Sequence, residues 1–144
     1  MSPATGRAAL AMNLELSHGA RGASARLEWH ERSGRRVALL GLSGWIDRAA
    51  LERLETTLES LAERGGALVL DCSRLRHIDY RLVPVLVGAL ARYESRAGGF
   101  AVCGLSTYLR DLFRLGGCEP RFFCWPAAEE LMAAARKPTG ESAS

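Results

Sequence analysis

The sequence predicts an α/β fold, a single mixed, mostly parallel sheet of about five strands with four helices, on three observations. The period of the apolar residues switches repeatedly between that of strands and that of helices. Two nearly all-apolar runs, 67–71 (ALVLD) and 100–104 (FAVCG), have the composition of strands buried on both faces. Paired glycines at Gly65-Gly66, Gly98-Gly99 and Gly116-Gly117 punctuate the pattern. Strands alternating with helices imply right-handed crossovers and parallel pairing, and an opening hairpin supplies an antiparallel edge.

Residues 1–24 mix Gly, Ala, Ser and Pro around a short apolar patch with no sustained period, and are expected to form a mobile leader. Runs 25–31 and 36–43 read as strands, and Ser33-Gly34 between them signals a hairpin turn. Asp47 then precedes a helical stripe of Leu51, Leu54, Leu58 and Leu61, where its carboxylate can accept bonds from the orphan N–H groups of the first turn. Strand 67–71 leads through a polar link to a helix over 82–93 that is apolar nearly all round. Its Pro84 is tolerated only in the first turn, so that helix starts near Arg81 or Leu82. After strand 100–104, Leu109, Leu112 and Phe113 stand at helical spacing over 107–115, and Gly116-Gly117 ends that helix. Residues 121–125 read as the last strand, and Pro126 opens a terminal helix with Leu131 and Met132 on its apolar side. The small, polar residues 136–144 are expected to be a disordered tail, which leaves a domain at 25–135 with the order β-β-α-β-α-β-α-β-α.

A chain of 144 residues, 48% hydrophobic and 24% charged, can bury one core. Nineteen Lys and Arg against sixteen Asp and Glu give a net charge of +3, scattered along the chain, which argues against a dedicated nucleic-acid binder. Nearly every cation is Arg, a bias that a GC-rich bacterial coding sequence produces. No apolar run is long enough to span a bilayer and the first twenty residues lack the core of a signal peptide, so a cytoplasmic protein, not inserted in a membrane, is expected. Cys72, Cys103, Cys118 and Cys124 form no CxxC pair and are expected to be reduced, mostly buried thiols.

No GxxxxGK[ST] loop or GxGxxG turn is present to cradle phosphates, and no cofactor is expected. Neither a GxSxG elbow nor an HExxH pair appears, and Gly41-Leu42-Ser43-Gly44 has the wrong spacing for a nucleophilic serine. The chain therefore reads as a non-enzyme with no catalytic residue. Cys72, His77, Cys103 and Cys124 fall near one sheet edge, but without paired ligand spacing they read as core thiols and a loop histidine, with no metal. A small-ligand pocket near His77, Asp79 and Cys103 is a lesser alternative, since no two groups there stand at catalytic spacing. The segment that resists a merely structural reading is 76–84 (RHIDYRLVP), where a buried strand gives way to a helix at the C-terminal side of a parallel sheet.

Together these residues resemble the STAS domain, the fold of bacterial anti-sigma factor antagonists and of the cytoplasmic tails of sulfate transporters. The resemblance runs from about Arg35 to Met132. Residues 37–47 (VALLGLSGWID) resemble the family's strand ending in G-x-[LI]-D, and 68–73 (LVLDCS) its L-V-L-D-L-S. Ile78-Asp79 takes the place of the I-D before the switch loop, while 98–106 (GGFAVCGLS) and 112–117 (LFRLGG) resemble the late G-G-x-L-x-L-x-G-L-S and L-F-x-L-x-G. In the antagonists the I-D is followed by Ser-[Ser/Thr]-Gly-Leu-Gly, whose serine is phosphorylated by a kinase that is also the anti-sigma factor. Here those places hold Tyr80, Arg81, Leu82, Val83 and Pro84. The phosphoacceptor serine and both glycines are missing, and no phosphorylation is expected, because the Tyr80 hydroxyl would stand beyond the reach of a kinase built for serine.

What the resemblance leaves is a binding surface without its regulator: Asp79, Tyr80, Arg81, Leu82, Val83, Pro84 and Val87, with Trp45 and Asp47 adjoining. Tyr and Arg are favoured at interface hot spots. The expected function is a non-catalytic signalling module, anti-sigma factor antagonist-like, that binds a regulatory ATPase or kinase partner. The alternative is an accessory subunit that binds the ATPase of an ABC-type lipid transport system. Either is expected as a monomer or homodimer, since an apolar patch near the start of the chain can add to an edge strand.

Overall fold

The computed structural model of the protein describes residues 11–32 and 34–118. Its elements are β1 (Ala11–Ser17), β2 (Ala23–Arg32), β3 (Arg35–Ile46), α1 (Arg48–Arg64), β4 (Ala67–Ile78), a 3-10 turn (Tyr80–Leu82), α2 (Val83–Arg96), β5 (Phe100–Cys103) and α3 (Thr107–Leu115). The five strands form one sheet in sequence order. β1 with β2 and β2 with β3 are antiparallel, whereas β3 with β4 and β4 with β5 are parallel. Among the described residues the sheet is thus evenly mixed where a mostly parallel one was expected, because the chain before residue 25 contributes an antiparallel strand of its own.

That strand corrects the mobile leader. β1 pairs with β2 from Ala11 opposite Glu28 to Ser17 opposite Ala23, so Ala11–Ser17 is a strand of the sheet and residues 18–22 are the turn into β2. Leu14 and Leu16 alternate with Asn13 and Glu15, a run too short to declare a period alone but sufficient once β2 offers its backbone. Leu16 is only 2% exposed. β4 is likewise longer than its apolar run. Residues 72–78, read as a polar link, continue the strand to Ile78. Two register shifts against β3, between Gly41 and Ser43 and between Gly44 and Trp45, break the alternation that would have revealed it. The strand expected at 121–125, the fourth helix, Cys124 and the 136–144 tail lie outside the described residues.

Core packing follows the register. Leu27, Leu40, Leu70 and Val102 stand in one buried row across β2 to β5, which the exposed Met12 continues onto β1. Against this face pack the α1 stripe Leu51, Leu54, Leu58 and Leu61, then Leu86 and Leu90 of α2, and Leu109 and Phe113 of α3. Tyr93 is buried between α2 and the sheet edge, and its hydroxyl donates to the Gly66 carbonyl at 2.8 Å, which satisfies the one polar atom such a ring brings inside. A smaller cluster of Val37, Val69 and Cys103 occupies the opposite face.

Leu16→Ala is expected to destabilise the domain by about 2–3 kcal/mol, the cost of emptying a buried leucine site. Chemical denaturation of the full chain measures it, and a loss under about 0.5 kcal/mol would mean that β1 is a surface appendage.

Candidate functional site

Along one edge of the sheet, strands end and helices begin, and each helix start must satisfy N–H groups that have no helical partner. Asp47, between β3 and α1, accepts from Ala50 N–H at 2.8 Å. Asp79, after β4, accepts from Arg81 N–H at 2.9 Å and opens the 3-10 turn that leads into α2, with Pro84 in the first turn of the helix. Ser106, after β5, accepts from Leu109 N–H at 3.1 Å and starts α3. Asp47 caps α1 where the sequence marked it, and Asp79 caps the 3-10 turn.

Asp79 does more than cap. Arg81 turns back and grips both carboxylate oxygens, Nε at 3.1 Å from Oδ1 and a terminal nitrogen at 2.7 Å from Oδ2. The guanidinium hydrogen bond, with the backbone N–H behind it, holds the Asp79 carboxyl down at about 2. The result is a fixed, exposed loop, with Tyr80 held at its tip and 47% exposed. Leu82 and Val83, also expected on the surface, are buried and anchor the turn in the core. Pro84 is exposed and Val87 half-buried. From the other side α3 ends directly on the turn: a Cβ at Gly116 would lie 2.5 Å from Val83 Cβ and 2.9 Å from the Tyr80 carbonyl, so only glycine fits there. The neighbouring Leu115 is 69% exposed.

Beside the loop a column of rings crosses the strand ends. Gly44 has φ of +92°, and a Cβ there would stand 2.1 Å from the Gly22 carbonyl, so a glycine is required for the β1–β2 turn to close on β3. Trp45 N–H donates to that same carbonyl at 3.2 Å. The closure lays the Arg21 guanidinium 4.6 Å from the centre of the Trp45 ring. On the other side, the register shift sets Trp45 opposite His77, ring centres 5.2 Å apart. His77 in turn lies 5.8 Å from the Tyr108 ring and shares a hydrogen bond with its hydroxyl through Nδ1. Between the column and the loop opens a cleft of about 510 Å³, walled by Arg21, Trp45, Asp47, Arg48, His77 and Arg81.

Of the residues singled out in the sequence, Trp45, Asp47, Asp79, Arg81 and Leu82 border this one cleft, Tyr80 does not line it although both its chain neighbours do, and Val87 lies a turn farther along α2. Arg21, Arg48 and Tyr108 complete the edge and were not singled out. Arg21 fell in the supposed leader, and Tyr108 precedes a stripe that reads only as core. His77 is a strand residue and not a loop residue. Cys72 is buried, which together with the nearby Cys103 and Asp71 pushes its thiol well above the ordinary range, and among the described residues no three His, Cys, Asp or Glu side chains gather as a metal site.

A family model described as the Mlab STAS domain matches residues 29–120. The fold matches the anti-sigma factor antagonist from Mycobacterium paratuberculosis with a TM-score of 0.64 at 23% identity, over 85% of this chain and 100% of that one. It matches the antagonist SpoIIAA in its unphosphorylated form with a TM-score of 0.61 at 21% identity, over 76% of this chain and 96% of that one. The phosphorylated form of SpoIIAA, described as a Bacillus cell fate determinant, gives 0.57 at 20% identity, over 76% and 99%. No curated protein matches the sequence.

In a carboxyl-detected NMR titration, Asp79 is expected to titrate at about 2 and to move up toward about 3.9 in Arg81→Ala. Since folding lowers this value, the order that the pair gives the loop is complete above about pH 3.9 and is lost as pH falls through about 2. An Asp79 value unmoved by the substitution would assign the depression to a group other than Arg81.

Proposed function

This chain belongs to the STAS domain family, and on that premise we propose that it is a non-catalytic protein–protein interaction module, akin to the anti-sigma factor antagonists, that docks a regulatory ATPase or kinase in the cytoplasm. One observation carries the reading: the place after Ile78-Asp79 is filled by a rigid loop that presents Tyr80, in the setting where the resemblance puts a phosphoacceptor serine. A phosphate there would bring nearly two negative charges into an interface and so control docking. Tyr80 and Arg81 leave the surface without that control, and the module binds constitutively. Tyr80, Pro84 and Val87, with Trp45 at the cleft, give the aromatic and aliphatic contacts that hot spots use, and Arg81 gives a guanidinium already held in place by Asp79.

The same substitution at the serine position favours a second reading, a STAS accessory subunit docked on the ATPase of an ABC-type lipid transport system, where no serine phosphorylation is needed. Among the described residues no helix is long and apolar enough to cross a membrane, so in that reading the subunit reaches the membrane through its partner.

Affinity capture of the tagged full-length chain from its own cells, with mass spectrometry of partners and bait, tests both. The expected result is a kinase-like or transporter ATPase recovered with an unphosphorylated bait, and recovery about tenfold lower with Tyr80→Ala/Arg81→Ala, a loss of the size expected for hot-spot truncation. Full recovery with that double variant would remove the loop from the interface, and phosphate on Tyr80 would restore a switch.

A further inference from the structure

We propose that the cleft beside the loop takes an acidic segment of the partner protein, an inference that rests on the docking reading above and specifies the chemistry of what docks. Three guanidinium groups wall the cleft, those of Arg21, Arg48 and Arg81, against two carboxylates. Both carboxylates are already engaged within the chain, Asp79 by Arg81 and Asp47 by the Ala50 N–H. Arg21 and Arg48 form no ion pair among the described residues. The cleft therefore holds surplus positive charge with its own acids spoken for.

Arg21 is also pre-oriented. With its Cζ 4.6 Å from the centre of the Trp45 ring, the Arg21 guanidinium is held against an aromatic face, and less side-chain entropy remains to be lost when a carboxylate arrives. Beside these charges stand two exposed aromatic rings, Tyr80 next to Arg81 in the loop and Tyr108 against His77. A peptide with carboxylates flanking a large apolar side chain matches both features, whereas a basic segment meets like charge and a nucleic-acid backbone leaves the apolar groups uncovered.

The test titrates the 15N-labelled full-length chain with a peptide Glu-Asp-Leu-Phe-Asp-Glu, its lysine counterpart, hexauridylate and inorganic phosphate, and follows the indole N–H of Trp45 and the Nε–H signals of the arginines. Expected are saturable shifts with the acidic peptide alone. Affinity should fall about tenfold in Arg21→Glu/Arg48→Glu and less in Arg21→Gln/Arg48→Gln, and should weaken with added salt. All four substitutions are at exposed positions, and an unchanged NMR spectrum elsewhere confirms the fold of each variant. Equal binding of the lysine peptide, stronger binding of hexauridylate, phosphate giving the same shifts at the same concentration, or no response to the double charge reversal would each overturn the proposal. The capture result with Tyr80→Ala/Arg81→Ala separates the two claims. Lost recovery with no preference for the acidic peptide keeps the docking reading and removes the acidic chemistry. Undiminished recovery with acidic-peptide binding intact makes the cleft an anion site unconnected to the partner, and removes both.

Discussion

A helix that begins where a buried strand ends starts with N–H groups that have no acceptor, and this edge of the sheet carries three such starts. Asp47, Asp79 and Ser106 meet the demand with side-chain oxygens. Those three caps fix where α1, the 3-10 turn that leads into α2, and α3 set out, and so position the exposed groups they carry. Asp79 is the pivotal one. It ends β4, opens the turn, and binds Arg81 strongly enough to fix the loop while remaining at the surface. Ion pairs at exposed sites are worth little as stability, but here two hydrogen bonds to one carboxylate set a geometry. The loop is thereby ordered before any partner arrives, which reduces the entropy lost on docking.

The second constraint is steric and comes from glycines at two contacts. Gly44 lets the β1–β2 turn close on β3, and so places Arg21 on Trp45. Gly116 lets the end of α3 lie against Val83 and the Tyr80 carbonyl, and so backs the turn from behind. The ring column and the loop are thus each held by a close contact that no larger residue permits. Neither depends on a titrating group, which agrees with a surface that is always formed.

Much of this was legible in the sequence. The leucine stripe of α1, its Asp47 cap, the Pro84 start of α2 and the extent of α3 follow directly from period, capping and turn chemistry, and the structure has them there. β1 was hidden because seven residues with two inward leucines carry too little period to be seen without the partner strand. The second half of β4 was hidden by register shifts, which break the alternation that marks a strand. The ring column was out of reach for a related reason. Arg21, Trp45, His77 and Tyr108 come from four separate elements, and only the closure at Gly44 and the shift before Trp45 bring them into contact. Leu82 and Val83 show the converse: adjacent to the loop in sequence, they belong to the core in space.

A partner that docks on the preformed edge made of the Asp79–Arg81 loop and the Trp45 column covers those groups and leaves the far strands of the sheet in water. Hydrogen exchange of the backbone amides, free and in complex with the captured partner, reads out which groups are covered. Docking at this edge adds protection at Tyr80, Arg81 and the first turn of α2, with Trp45 protected in step, and changes β1 and β5 little. Protection confined to the outer edge of β1 or to the Val37–Val69 face, with the loop unchanged, would contradict it.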